Sequence, residues 1–194
     1  MSRRALALGV LALVAVACTT SVENPSSTQD STGVTGNLLH DPGVLAAAMH
    51  AIERRVGAEP ARITDASVYG EYVIVEAQDP DVPDHIDRYT WRDGEVTGPE
   101  PVHLSGTQED IESALYPTSS VSWRDIPGLV RKAERHLERA VPPRIEEPEA
   151  SYVVVERSST LDGRVTIRVS VDGPRRSGWA ELTPAGEILN ATVS

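Results

Sequence analysis

The chain repeats itself, and that repeat constrains its fold more than any other feature. Pro42-Gly43-Val44-Leu45 returns 85 positions later as Pro127-Gly128-Leu129-Val130. At the same offset Ala48 meets Ala133, Ile52 meets Leu137, Glu53-Arg54 meets Glu138-Arg139, and Val56 meets Val141. Arg62-Ile63 then corresponds to Arg144-Ile145 after a short deletion. Tyr72-Val73-Ile74-Val75-Glu76 corresponds to Tyr152-Val153-Val154-Val155-Glu156. Two unrelated amphipathic helices could share the first block by chance. A Tyr-Val-x-Val-Glu block following in the same order is not explained that way, so two copies of one supersecondary unit are expected.

Each copy opens with a helix. Leu45, Ala48, Ile52 and Val56 recur at helical spacing, as do Val130, Ala133, Leu137 and Val141, leaving one apolar stripe per helix to bury. Pro42 and Pro127 suit a first helical turn, where a missing N–H costs little. Asp41 is a candidate N-cap, and Ser122-x-x-Asp125 has the form of a capping box. Pro60 and Pro142-Pro143 end the helices.

Strands follow in both halves. Tyr72 to Glu76 and Tyr152 to Glu156 are short and rich in β-branched residues. Arg164 to Asp172 alternates, with Val165, Ile167, Val169 and Val171 on one face and Arg164, Thr166, Arg168 and Ser170 on the other. That pattern describes a sheet with one dry and one wet face. Ile86 to Arg92 sets Tyr89 and Trp91 against Arg88, Thr90 and Arg92. Asp93-Gly94, Asp162-Gly163 and Asp172-Gly173 are turn dipeptides. Gly178 to Thr183 and Glu187 to Val193 supply the last two strands, joined at Pro184-Ala185-Gly186. The fold class is therefore α+β: two tandem modules, each a helix followed by an antiparallel β-meander, with the first one strand shorter than the second. The expected boundaries are 38–104 for the first module, 105–121 for a connector with a short helical piece near Asp110 to Leu115, and 122–194 for the second.

The N-terminus carries an export signal. Ser2-Arg3-Arg4 is basic, and Ala5 to Val16 is an unbroken apolar or glycine run, too short for a bilayer-spanning helix of roughly 20 residues. Residues 1–17 read as a signal peptide. Residues 18–37 read as a cysteine followed by a flexible tether rich in Ser, Thr, Gly, Asn and Asp, whose coil would reach roughly 25 Å. Ala15-Val16-Ala17 also fits a conventional signal-peptidase cut. The chain has a single cysteine, so an internal disulfide is excluded.

Two resemblances add to this reading. Ala15-Val16-Ala17-Cys18 resembles the lipobox of bacterial lipoproteins, of the kind found in actinobacteria, although Ala15 stands where leucine is usual. That resemblance implies that Cys18 is lipidated and holds the exported protein at the extracytoplasmic face of the cell membrane. The order of helix and meander, and the ending Ala180-Glu181-Leu182-Thr183-Pro184-Ala185-Gly186-Glu187-Ile188-Leu189, resembles the PepSY-like domains of bacterial envelope proteins. That resemblance carries no catalytic signature and implies a binding or restraining role.

Candidate sites are few. Asp79, Asp81, Asp84 and Asp87 crowd one loop with Glu76 and His85. Hard cations want such oxygens, but the spacing is not an EF-hand's and Pro80 and Pro83 stiffen the chain, so a solvated acidic loop explains them with less. Arg131, Arg135 and Arg139 follow one another at i+4 beside Lys132, and Arg175-Arg176 sits in a turn. Either a solvated face or a docking surface accounts for them. The histidines show no metal spacing, no nucleophile elbow or phosphate loop is present, and no cofactor is called for. A formal charge of −11, with Arg3 and Arg4 removed on export, argues against nucleic acid as a partner. The expectation is a non-catalytic, membrane-tethered module that binds a protein partner. The alternative is a small-ligand carrier with a pocket between helix and sheet.

Overall fold

In the computed structural model, residues 36–140 and 142–194 are described; Cys18, the signal peptide, most of the tether and Val141 lie outside them. Asp41 caps α1 (Pro42–Val56), its carboxylate accepting from the Gly43 and Val44 amides, and Gly57 closes the helix in a left-handed conformation. Four strands follow: β1 (Arg62–Tyr69), β2 (Tyr72–Gln78), β3 (Ile86–Arg92) and β4 (Glu95–Pro101). After α2 (Gln108–Ala114), β5 (Tyr116–Pro117) and a 3-10 turn (Thr118–Ser120) comes α3 (Ile126–Arg139). It is followed by β6 (Glu149–Arg157), β7 (Val165–Asp172), β8 (Ser177–Leu182) and β9 (Ile188–Val193).

All nine strands belong to one antiparallel sheet, ordered β4-β3-β2-β1-β6-β7-β8-β9, with β5 beside β1. The first strands of the two halves join them: β1 and β6 pair from Asp65–Glu156 to Tyr69–Tyr152. The halves therefore share a sheet and a core. Helix α1 lies over β2, β3 and β4, and α3 lies over β6, β7, β8 and β9. Between helices and sheet, Leu45, Ala48, Ile52, Val73, Val75, Val130, Leu137, Val153, Ile167 and Val169 form one buried cluster. The expected apolar stripes are buried, Val141 lying outside the described residues, and of the expected dry face Ile167, Val169 and Val171 are buried and Val165 half-buried.

Three expectations need correction. The first half is not a strand shorter. Its β1 escapes pattern reading because a bulge between Ile63 and Asp65 breaks the alternation, and Thr64, Asp65 and Ser67 dilute the apolar signal. Its β4 contains Gly98, Pro99 and Pro101, which suit only an edge strand. Next, no capping box forms at Ser122 and Asp125: the Asp125 amide donates to the Ser122 carbonyl, and its side chain caps nothing. The capping box lies at α2, where Thr107 and Asp110 exchange bonds. Finally, the twin Tyr-Val-x-Val-Glu blocks are not equivalent members of a repeat. One is the second strand of its half and the other is the first.

The connector is built into the body. Tyr116 is fully buried, and its hydroxyl donates to the Val155 carbonyl at 2.7 Å. The Thr118 hydroxyl donates to the Glu53 carboxylate on α1, while the Trp123 indole donates to the Thr118 carbonyl at 3.0 Å. Tyr116→Phe removes this buried hydrogen bond to the β6 backbone, which costs about 0.5–1.5 kcal/mol. Urea unfolding should show a lower midpoint at unchanged slope; an unmoved midpoint would mean water replaces the hydroxyl.

Candidate functional site: the helix-free face of the sheet

The two long helices, α1 and α3, cover the same face of the sheet. The opposite face is composed from the other half of each strand's alternation, and its chemistry is ordered in rows across the strands. One row runs Arg92, Tyr72, Tyr69, Tyr152, Ser170, Trp179, Thr192. The next runs Thr90, Ile74, Ser67, Val154, Arg168, Glu181, and a third runs Arg88, Glu76, Asp65, Glu156, Thr166.

The twin blocks acquire their meaning here. Strands β2 and β6 are the two neighbours of β1, so Tyr72 and Tyr152 flank Tyr69 while Glu76 and Glu156 flank Asp65. The three tyrosines stack: Tyr69 on Tyr72 with centroids 4.5 Å apart, and Tyr69 on Tyr152 at 5.7 Å. The Arg92 guanidinium lies 4.6 Å from the Tyr72 centroid, extending the stack by a cation. Arg168 approaches Trp179 at 5.2 Å. Such contacts contribute about 0.5–1.5 kcal/mol each. Because Tyr69's neighbours occupy both its faces, the inner tyrosine offers its edge and hydroxyl outward.

The carboxylate row is less comfortable. Glu76 is held by Arg88 at 2.8 Å, but Asp65 has a hydroxyl donor, Ser67 at 3.1 Å, and a carboxylate on either side. Burial, together with Glu76 and Glu156, raises the Asp65 pKa to about 6 against the lowering effects of Ser67 and Arg88. Burial also pushes the Tyr69 phenol up, helped by Tyr72 and Tyr152. Further along, Thr166 and Glu181 are 1% and 5% exposed, and the Arg168 Nε is buried without a hydrogen-bond partner among the described residues. The wet face expected of β7 is thus partly closed.

The residues singled out from the sequence lie elsewhere. Asp79 accepts from the Asp81 and Val82 amides and so shapes its own loop. Asp84 and Asp87 border a groove of about 360 Å³ with His85 and His103. Among the described residues no group of three or more metal-ligating side chains converges. Arg131 borders one surface groove with Pro42 and Arg124, Arg135 and Arg139 another with Lys132, and Arg175 and Arg176 a third with Arg144. Of the tryptophans, Trp91 and Trp123 are in the core and Trp179 is on the sheet face.

No family model and no curated protein matches the chain. Among solved structures, a candidate lipoprotein from Clostridium difficile aligns with a TM-score of 0.42 at 13% identity, over 82% of this chain and all of that one. A likeness that weak identifies neither family nor function. No described helix is long and apolar enough to cross a membrane.

Proposed function

We propose that the protein is a bacterial envelope lipoprotein of the actinobacterial type, exported by its signal peptide and held at the extracytoplasmic face of the membrane by a lipid on Cys18. Its body is a fused pair of PepSY-like modules that acts without catalysis, as a binding or regulatory module for another protein. The helix-free sheet face is the binding surface, and the arrangement that carries this reading is the pair of Tyr-Val-x-Val-Glu blocks set symmetrically about β1. It concentrates aromatic rings, three arginines and a crowded carboxylate on the face that α1 and α3 leave uncovered. Aromatic residues and arginine supply most of the energy in protein interfaces. A carrier pocket between helix and sheet is disfavoured, because the residues there are packed to near-zero exposure.

A photo-crosslinking residue placed at Tyr152 in living cells tests this. A discrete adduct with one protein is expected from position 152, absent from position 138 on the helix face and lost with Cys18→Ala. Equal adducts from both faces, or none from 152, would overturn the sheet-face reading. The mass of the N-terminal peptide of the mature protein tests the anchor separately. A diacylglyceryl cysteine is expected, and an unmodified Cys18 sinks it.

A further inference from the structure

The protein is acidic overall, yet half of its described cations gather on one side. Arg131, Lys132, Arg135 and Arg139 are exposed on α3 and Arg124 just ahead of it, while Arg144, Arg175 and Arg176 line a neighbouring groove with Glu146 beyond the helix's C-terminal end. The outward position is forced. Ile126, Val130, Ala133 and Leu137 face the sheet, which turns Arg131, Lys132, Arg135 and Arg139 to solvent. Among the described residues not one of these eight makes an ion pair; the ion pairs involve Arg62, Arg88 and His50 instead. Carboxylates were available nearby. Asp125, Glu138 and Glu146 are exposed beside the strip, and Glu134 is turned away to accept from the Ala150 amide at 3.0 Å. An array of like charges at i+4 spacing, left unneutralised, is unfavourable for the helix itself.

From the strip and the place where the tether meets the body, we infer that α3 is the membrane-facing side of the protein and docks on anionic phospholipid headgroups. The body joins the tether at Gly36 and Asn37, just ahead of α1, and Pro42 at the start of α1 shares a groove of about 420 Å³ with Arg124 and Arg131. The tether therefore meets the body at one end of the basic strip. On the sequence expectation of a flexible tether the anchor would lie within roughly 25 Å of the body, while the attraction of a charged bilayer extends about 8–10 Å at physiological salt. The lipid anchor brings the strip within range of that field, and the protein's remaining negative charge then selects this side over every other. Since α3 lies on the covered side of the sheet, docking there points the tyrosine and arginine rows away from the bilayer, towards a partner. This orientation rests on the lipoprotein reading above.

Lys132 is the only lysine of the chain and lies within the strip, its ammonium donating to the Gly186 carbonyl at 2.6 Å, so its acylation relative to uncharged vesicles gives a direct readout. The mature chain is coupled through the Cys18 thiol to a maleimide phospholipid in vesicles, so that the result does not depend on lipidation in the cell. Acylation of Lys132 by a water-soluble ester is then timed on phosphatidylcholine vesicles with and without phosphatidylglycerol, and nitration of Tyr152 reports the sheet face. On phosphatidylglycerol, Lys132 should react about tenfold more slowly, Tyr152 at an unchanged rate, and high salt should abolish the difference. The triple variant R131E/R135E/R139E, altered only at exposed positions, should lose the protection while its circular dichroism is unchanged. Equal Lys132 rates on both vesicles, or protection of Tyr152 in its place, would overturn the inference. So would equal protection by inorganic phosphate without vesicles, which would make the strip a site for soluble phosphate. An unmodified Cys18 in cells would instead sink the lipoprotein reading and leave these rates as they are.

Discussion

Asp65→Asn should make the protein more stable at pH 8 and leave its stability almost unchanged at about pH 4. The sign follows from where the proton is held more tightly. A carboxyl whose folded-state pKa is about 6 binds its proton more tightly in the folded protein than in the unfolded chain, where its pKa is near 3.9. Stability is then greatest below the unfolded value and falls as the pH rises through the folded value. A tenfold change in proton affinity is worth about 1.4 kcal/mol, so the penalty above pH 6 is about 1–3 kcal/mol once solvent screening is allowed for. Asparagine keeps an acceptor for Ser67 and removes the charge between Glu76 and Glu156. A gain of about 3–10 °C in Tm at pH 8 is expected for a domain of this size. An equal gain at both pH values would show that packing, not charge, is responsible. A loss at pH 8 would show that Arg88 already neutralises the row. A partner that places a cation over Asp65 would draw its proton off, so binding through this face should release protons near pH 6.

The sheet face also shows which parts of a chain like this can be read in advance. The helices and their buried stripes are legible, because α1 and α3 carry a period that only one packing arrangement satisfies. Strands β2, β3, β6, β7, β8 and β9 are legible from alternation and turn dipeptides. Strand β1 is not, since a bulge and three polar residues hide it, and with it go Asp65, Ser67 and Tyr69, the centre of the candidate site. The one signal for that centre is the doubled Tyr-Val-x-Val-Glu block, which in the sequence looks like simple duplication. Its two copies resemble each other because they occupy like environments on either side of β1, a long-range relation that no local pattern contains. The unpaired state of the arginine strip is similarly out of reach. Spacing places Arg131, Arg135 and Arg139 on one side of a helix, but only the fold shows that nearby carboxylates do not answer them.

Whether the halves behave as one body is decided by a cavity placed under one helix and sensed under the other. Ile167 is fully buried at the centre of β7, beneath α3. Ile167→Ala should cost about 2–5 kcal/mol, the transfer energy of the lost atoms plus the hole they leave. That is a large share of the roughly 5–15 kcal/mol expected in total. Trp91, 3% exposed on β3, reports the first half, and Trp179 on β8 reports the second. In variants that keep one of these tryptophans alone, both signals should lose their midpoint by the same amount, because β1 and β6 pair along five residues and the core runs unbroken across them. Coincident transitions seen by separate probes are the test of a single cooperative unit. A Trp91 transition that stays in place while the Trp179 transition moves would mean that the β1–β6 seam can part, leaving two domains after all. In that case the face that brings Tyr72 and Tyr152 together around Tyr69 would depend on the seam staying closed, and Ile167→Ala would weaken partner binding under conditions in which the first half is still folded.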